Sequence, residues 1–145
     1  MTEMNKTLAR QTMEALDRRD LDEVHAHMAP ESRFYGWASE PLDADGHKAF
    51  MSALLTAFPD SKFIIDDVIA EGDKVAVRHR LQGTHQAELQ GIPATGRQVE
   101  IGAIVIFRIE NGRMAEAWLN LAGRPLDETG LRSSIRRLIA GGSSI

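Results

Sequence analysis

The second half of the sequence contains four long segments with β-strand composition, and they constrain the fold more than any other feature. Residues 62–70 are rich in Ile, Val and Phe, residues 75–84 alternate between apolar and polar, and residues 99–109 are apolar on both faces. Asn111-Gly112 is a strong signal for a two-residue hairpin, so a returning strand is expected at residues 114–121. Together these segments predict a meander of antiparallel strands.

The first third of the chain has helical patterns instead. Apolar and small residues recur there at helical spacing, namely Met4, Leu8, Thr12, Ala15 and Leu16. Asp20 followed three residues later by Glu23 resembles a capping box, which predicts that a second, short helix begins directly after Asp20. We expect this helix to carry Val24 and Met28 inward and to end at Pro30.

Two further helices complete the predicted order of elements. Asp45 is expected to be the N-cap of a third helix that ends at Pro59, and a last helix is expected at residues 128–140. Helices before and after an antiparallel meander define the α+β class, with a curved antiparallel sheet packed against the N-terminal helices. We expect a single domain over residues 1–145, in which the uncovered part of the concave sheet face forms a pocket.

Composition excludes several classes of function. The chain has 145 residues, of which 43% are apolar, and 17 Lys and Arg against 21 Asp and Glu give a net charge of −4, which argues against nucleic-acid binding. There is no cysteine, so disulfides, thiolate catalysis and cysteine-bound zinc are excluded. The N-terminus lacks an apolar stretch of signal-peptide type and no segment approaches membrane-spanning length, so we expect a cytoplasmic protein without a membrane partner.

Five short motifs occur in an order and spacing that are typical of one family. They are Phe58-Pro59-Asp60, AEGDKV at 70–75, Gly83-Thr84-His85, GIPATGR at 91–97, and IFRIENG at 106–112 followed by Glu116 and Trp118. In these motifs the sequence resembles the SnoaL-like polyketide cyclases, which have the nuclear-transport-factor-2-like fold. The resemblance implies a cone-shaped α+β barrel, a homodimer, and a deep apolar pocket for a small hydrophobic ligand.

The resemblance also implies a chemistry, and the sequence departs from it at the catalytic positions. Founding members close the fourth ring of an aromatic polyketide by an intramolecular aldol reaction without a metal or organic cofactor, and some relatives hydroxylate such scaffolds with a reductase partner. Counting from the Asn-Gly turn, the family's catalytic Asp corresponds to Leu119, its neighbouring His to Ala117, and an assisting His to Val105. Because apolar side chains cannot move a proton, the fold and pocket carry over but these acid/base groups do not.

Three functions therefore stay open from the sequence. The first is a cofactor-independent enzyme that closes a ring, or does related chemistry, on a hydrophobic polycyclic substrate of polyketide type. The second is a small-molecule binding module of the same fold, which the apolar residues at the three catalytic positions favour. The third is a hydroxylase-type relative that works with a reductase.

His79 is the best single candidate for proton transfer. It shares one face of its segment with Val75, Val77 and Leu81, so it faces either the core or the pocket. It is either a core histidine bonded to a backbone carbonyl or a general base that burial keeps neutral.

Candidate substrate-binding residues come from the same faces. The resemblance implies that Leu119 lies on the pocket-facing side of its strand, and Val105 and Phe107 are expected to line the pocket with it. Tyr35 and Trp37 are two residues apart in the segment between the second and third helices, so in an extended chain they are expected on the same side. There they either stack on a flat ligand or form a structural aromatic cluster.

The remaining histidines are expected to have structural or solvated roles. His85 is expected to organise the Gly-Thr-His turn. His25 and His27 are two residues apart on a short helix, which is poor spacing for metal ligands, so both are expected to be solvated and no metal site is predicted. His47 is expected to be exposed beside the predicted cap of the third helix.

Residues on the opposite side of the sheet are expected to serve packing or dimer contact. Trp118 and Asn120 alternate with Leu119 and so point outward. Asp66 and Asp67 are adjacent, so one is expected to face in and one out. The inward carboxylate is expected either to pair across strands with Arg78 or Arg80 or to act as an acid/base group.

Overall fold

The computed structural model describes residues 2–122 and 130–140, which form four helices and five strands. The helices are α1 (Thr2–Asp17), α2 (Leu21–Ala26), α3 (Ala44–Ala57) and α4 (Gly130–Ile139). The strands are β1 (Met28–Tyr35), β2 (Lys62–Glu71), β3 (Lys74–Thr84), β4 (Gln98–Glu110) and β5 (Arg113–Leu121).

The five strands form one sheet in the order β1-β5-β4-β3-β2. Strands β2 to β5 pair antiparallel with their chain neighbours, which confirms the predicted meander and the α+β class. Strand β1 is an addition that the sequence analysis missed, and it pairs parallel with β5. Its sequence, MAPESRFY, contains a proline and no β-branched residue, so it lacks strand composition and forms only because the edge of β5 is available.

Met28 illustrates this difference. It is buried as predicted, but it is the first residue of β1 rather than the last inward residue of α2. The helix ends at Ala26, and the backbone N–H of Met114 in β5 donates to the carbonyl of His27.

Alternation along β3, β4 and β5 divides the sheet into an inner and an outer face. The register places Val77 opposite Val105 and Val105 opposite Leu119, so these buried residues lie in one row across three strands. Helices α1 and α3 contribute the other half of the core with buried residues such as Met13 and Leu54. The inner face is therefore apolar, as the sequence pattern predicts.

The helix ends follow side-chain capping, with one change from the predicted position. Asp20 caps α2 as predicted, because its carboxylate accepts a hydrogen bond from the backbone N–H of Glu23 at 3.0 Å. For α3 the N-cap is Asp43, which accepts from the N–H of Gly46 at 2.8 Å, so the prediction of Asp45 as the cap was wrong by two residues. Asp45 lies in the first turn instead, where its charge suits the helix dipole.

The C-terminal helix is partly confirmed. Leu131, Ile135 and Ile139 of α4 are buried in the core. The predicted start of this helix at residue 128 and the Gly-Ser tail at 141–144 lie outside the described residues.

A bulge in β2 explains which of the two adjacent aspartates forms an ion pair. The register shifts between Ile65 and Asp67, and Asp66 accepts two hydrogen bonds from the guanidinium of Arg80 at 2.9 and 3.0 Å. The hydrogen bonds from Arg80 hold the pKa of Asp66 below its usual value. This confirms the predicted cross-strand pairing with an arginine of β3.

Gly36, which follows β1, takes the chain from the outer to the inner side of the sheet. Its φ is +99°, and a Cβ built on it would come within 2.2 Å of the backbone carbonyl oxygen of Leu119. Only glycine combines this backbone conformation with so close an approach. Tyr35 and Trp37 therefore do not share a face, although strict alternation predicts that they do.

Gly36→Ala is expected to lower the free energy of unfolding by roughly 2 kcal/mol or more, because the left-handed conformation costs ~1–2 kcal/mol for a residue with a Cβ and the clash with Leu119 adds to it. Urea denaturation measures the change. Gly72→Ala is the matched control, since Gly72 has a φ of +61° but open space around it. If both variants lose the same free energy of unfolding, the contact between position 36 and the Leu119 carbonyl makes no contribution of its own.

Candidate functional site

A cavity lies between the inner face of the sheet and helices α1, α2 and α3. Its lining is almost wholly apolar and comes from these three helices, from strands β1 to β5, from Leu131 of α4 and from Trp37, which follows β1. Among the described lining residues, three have polar side chains, namely Thr12, His47 and His79. Any ligand in this cavity therefore meets mostly hydrocarbon and two imidazole rings.

The cavity is narrow in this structure. Its volume is about 50 Å³, well below the ~300–1,000 Å³ of pockets that hold drug-sized ligands. Met13, Met28 and Met51 are among its lining residues, and methionine side chains change rotamer at low cost. A polycyclic ligand thus enters only if lining side chains move.

The structure brings most of the sequence-predicted site residues together. His79, Trp37, Val105, Phe107 and Leu119 all line the cavity. Tyr35 does not line it, because the turn at Gly36 leaves this ring on the outer face of the sheet. There it stacks on Trp118 at a centroid distance of 5.8 Å and an interplanar angle of 12°.

His79 enters the cavity from β3 and is 6% exposed. Its Nδ1 lies 3.3 Å from the carbonyl oxygen of Val77, which can only accept, so Nδ1 carries the proton and Nε2 is the basic nitrogen. Burial lowers the pKa of His79 below its ordinary value, and the Val77 carbonyl and the charge of Asp66 oppose that shift. At neutral pH this ring is an uncharged proton acceptor.

His47 enters the cavity from α3, and the prediction that it is exposed was wrong. It is 4% exposed, stacks on Phe34 at a centroid distance of 4.0 Å, and meets Trp37 edge to face at 5.1 Å. The signal in the sequence was its spacing of three and four residues from Phe50 and Met51, which puts all three on the buried face.

The Nδ1 of His47 lies 3.1 Å from the Nε2 of His25 in α2, so the two rings share one hydrogen bond. Burial lowers the pKa of His47 to about 3, and His25 contributes further to the lowering. The pKa of His25 is also lowered, first by burial and then by Lys48, while Asp45 and Asp22 act in the opposite direction. Both rings are therefore neutral at pH 7.

The expectation that His25 and His27 are solvated was wrong for both. His25 is half-buried against His47, and the Nδ1 of His27 lies 2.8 Å from the hydroxyl of Thr12. That hydroxyl already donates to the carbonyl of Leu8 at 2.8 Å, so it accepts from His27. The two histidines face different partners, as their spacing predicts.

His85 lies outside the cavity lining and organises a turn, as expected. Its Nδ1 accepts from the backbone N–H of Thr95 at 3.2 Å, and its backbone pairs with Gly96 and Arg97.

Within residues 2–122 and 130–140, no group of three or more His, Cys, Asp or Glu side chains has the geometry of a metal site. Of the helices in the same residues, none is long and apolar enough to cross a membrane.

The fold and the enclosed apolar cavity define a protein of the nuclear-transport-factor-2-like α+β class. The sequence profile of the SnoaL-like polyketide cyclases matches residues 6–121, and the chain belongs to this family. No curated protein sequence matches the chain.

Several solved structures are similar to this chain over most of their length. AclR from Streptomyces galilaeus, a proposed hydroxylase, is 28% identical with a TM-score of 0.78, covering 86% of this chain and 93% of AclR. TsrD from Streptomyces laurentii is 30% identical with a TM-score of 0.69, covering 81% and 90%. IdmH from Streptomyces antibioticus, a proposed polyketide cyclase, is 26% identical with a TM-score of 0.72, covering 81% and 91%.

The buried state of His47 predicts a specific pH dependence of stability. Between pH 6.5 and about 3 the unfolded chain protonates this ring while the folded protein does not, so its contribution to stability is complete above pH 6.5 and is lost as the pH falls. The loss should be on the order of a few kcal/mol by pH 4. Urea denaturation from pH 7 to 4 should therefore show a steeper decline for the wild type than for His47→Phe. Parallel curves would show that His47 titrates normally.

Proposed function

We propose that this protein catalyses ring closure of a hydrophobic, polyketide-like substrate in the cavity, with the Nε2 of His79 as the general base. The observation that supports this most directly is the position of His79, a neutral imidazole in an apolar wall with its Nδ1 proton engaged by Val77. Membership of the SnoaL-like polyketide cyclase family and the likeness to IdmH support the reaction class.

The proposed step is an intramolecular aldol addition. His79 removes a proton from a methylene carbon beside a carbonyl group, and the resulting enolate carbon attacks a second carbonyl of the same molecule. One C–C bond forms, the attacked oxygen becomes an alkoxide, and that oxygen takes up a proton. Holding both ends of the substrate together can lower the activation barrier of such a reaction by ~7–11 kcal/mol, so a weak base is sufficient.

In this proposal the apolar side chains of Val105 and Leu119 bind the substrate. Both line the cavity with Phe107 and Trp37, where they can pack against the flat faces of a polycyclic substrate. Proton transfer then depends on the histidines rather than on a carboxylate at position 119.

Two alternatives have their own support. A binding module without chemistry is favoured by the apolar residues at 105, 117 and 119. A hydroxylase that works with a reductase is favoured by the likeness to AclR. Product formation that stops without oxygen would identify the hydroxylase.

His79→Gln is expected to reduce turnover roughly 10²–10⁴-fold while ligand affinity stays within a few-fold, because glutamine fills similar space but cannot accept the proton. The assay follows cyclisation of a tricyclic aromatic polyketide ester by chromatography. Arg78→Gln is the matched control, since Arg78 neighbours His79 on β3 but is exposed on the other face.

Affinity is measured separately with a single-tryptophan reporter. Trp118→Phe leaves Trp37 in the cavity wall as the sole tryptophan, and quenching by 1,8-dihydroxyanthraquinone then reports occupancy. Quenching without turnover in any variant would identify a binding module. Equal turnover in His79→Gln and wild type would exclude His79 as the base.

We also propose that the protein is a homodimer joined through the outer face of the sheet. Paired residues form an apolar row across all five strands, namely Ile69, Ala76, Ile106, Trp118 and Tyr35. Ile69 is 63% exposed and Ile104, in the adjacent row, is 38% exposed. A second copy of the chain would cover this face, in line with the dimer that the family resemblance implies.

Ile106→Arg is expected to raise the dimer dissociation constant at least ~10-fold, because Ile106 lies in the middle of the apolar row, between Ala76 and Trp118, and a charge there would be buried without a partner. Sedimentation equilibrium measures the change. Met4→Arg is the control, since Met4 is 72% exposed on α1, a helix that packs on the inner face of the sheet rather than the outer one. A wild-type protein that sediments as a monomer would overturn the proposal.

A further inference from the structure

A pair of hydrogen-bonded histidines links the cavity to the protein surface, and the proposed reaction as written does not use it. His47 lines the cavity from α3, and its Nδ1 lies 3.1 Å from the Nε2 of His25. His25 is half-buried in α2 and is near the exposed ion pair between Asp22 and Lys48, whose nitrogen and oxygen are 3.0 Å apart. One ring thus lies at the cavity and the other lies towards solvent.

We propose that His47 and His25 form a proton relay, in which His47 exchanges protons with a molecule in the cavity and His25 exchanges them with water. The inference rests on the proposed function only in the identity of the reacting molecule. The relay itself follows from the contacts of the two rings.

The chemistry of two neutral imidazoles permits such a relay. Each ring has one N–H and one lone pair, so the shared hydrogen bond can run from His25 to His47 or in the reverse direction. When His25 donates to Nδ1 of His47, the Nε2 of His47 carries a proton that it can give to the cavity. Passing one proton inward reverses both tautomers, and neither ring becomes a buried cation at any stage.

The surroundings of the pair favour this neutral route. Phe34 of β1 stacks on His47 and lies 6.3 Å from His25, while Trp37 meets the edge of His47. These apolar rings make a charged imidazole costly. The charged groups that act on the pair are Asp22 from α2 and Asp45 and Lys48 from α3, and all act on His25, the outer ring.

The proton balance of the proposed aldol step then closes. His79 in the sheet takes the proton from carbon, and the alkoxide that forms takes a proton from the Nε2 of His47. His47 is reprotonated at Nδ1 by the Nε2–H of His25, and His25 takes a proton from water at Nδ1. After the product leaves, water in the cavity carries the proton of His79 to the Nε2 of His47, the Nδ1 proton of His47 passes back to the Nε2 of His25, and His25 releases its Nδ1 proton to the hydroxide left in the solvent. Both rings then have their starting tautomers, and no proton, electron or co-reactant is left over.

The decisive variant is His25→Gln, because glutamine can still hydrogen-bond to His47 but cannot pass a proton on. We expect kcat to fall ~10-fold or more with KM unchanged, and we expect added imidazole to restore kcat in the companion variant His25→Ala. The matched control is His27→Gln, which changes the other histidine at this end of α2 and should leave kcat unchanged. Wild-type kcat and pH profile in His25→Gln would reduce His25 to a positioning residue and overturn the relay.

A second measurement needs no substrate and so separates this proposal from the proposed function. In protein with ¹⁵N-labelled histidine, we expect a scalar coupling across the hydrogen bond between Nδ1 of His47 and Nε2 of His25. We also expect the ring proton of His47 to exchange with water at least ~10-fold more slowly in His25→Gln than in wild type. If no variant or wild type turns over any substrate, slower exchange still supports the relay and equal exchange overturns it.

The same spectra test the competing use of the pair as metal ligands. Titration with zinc ions should leave both rings unchanged at one equivalent. If zinc shifts both sets of ring signals at that ratio, the pair is a metal site and the relay is refuted.

Discussion

Side chains point alternately to the inner and the outer face along three paired strands, and the rest of this structure depends on that alternation. Because Val77, Val105 and Leu119 lie in one row across β3, β4 and β5, a shift of one residue in any strand would turn its apolar face outward. The same register places His79 on the inner face. It is the only buried titratable side chain in the described strands, and its position follows from the position of the valines around it.

The scarcity of polar groups in the cavity determines what the histidines there can do. An imidazole in such surroundings stays neutral because water cannot solvate its charge, and the hydrogen bond to Val77 selects the tautomer of His79. His47 is held by aromatic rings and by the hydrogen bond between its Nδ1 and His25, which leaves its Nε2 without a partner in that pair and leaves both tautomers open. A low dielectric thus keeps both resting rings uncharged, as the proposed roles of His79 as base and His47 as acid require.

Much of the fold could be predicted because its signals are local. The strands β2 to β5, the hairpin at Asn111-Gly112 and the cap at Asp20 depend on residues within a few positions of one another. Strand β1 could not be predicted, because it pairs with a chain segment about eighty residues away and has little strand propensity of its own. The pairing energy comes from the free edge of β5, which no local pattern reveals.

For the site, the sequence by itself determined that His79 lies among apolar neighbours on one strand face, together with the pocket side of Val105, Phe107 and Leu119. Only the tertiary structure decided that His47 meets His25 and that Tyr35 and Trp37 lie on opposite sides of the sheet. The physical reason is range. A face within one strand follows from the two-residue period of the pleat, whereas a contact between two helices, or a turn at Gly36 against the carbonyl of Leu119, exists only when distant segments pack.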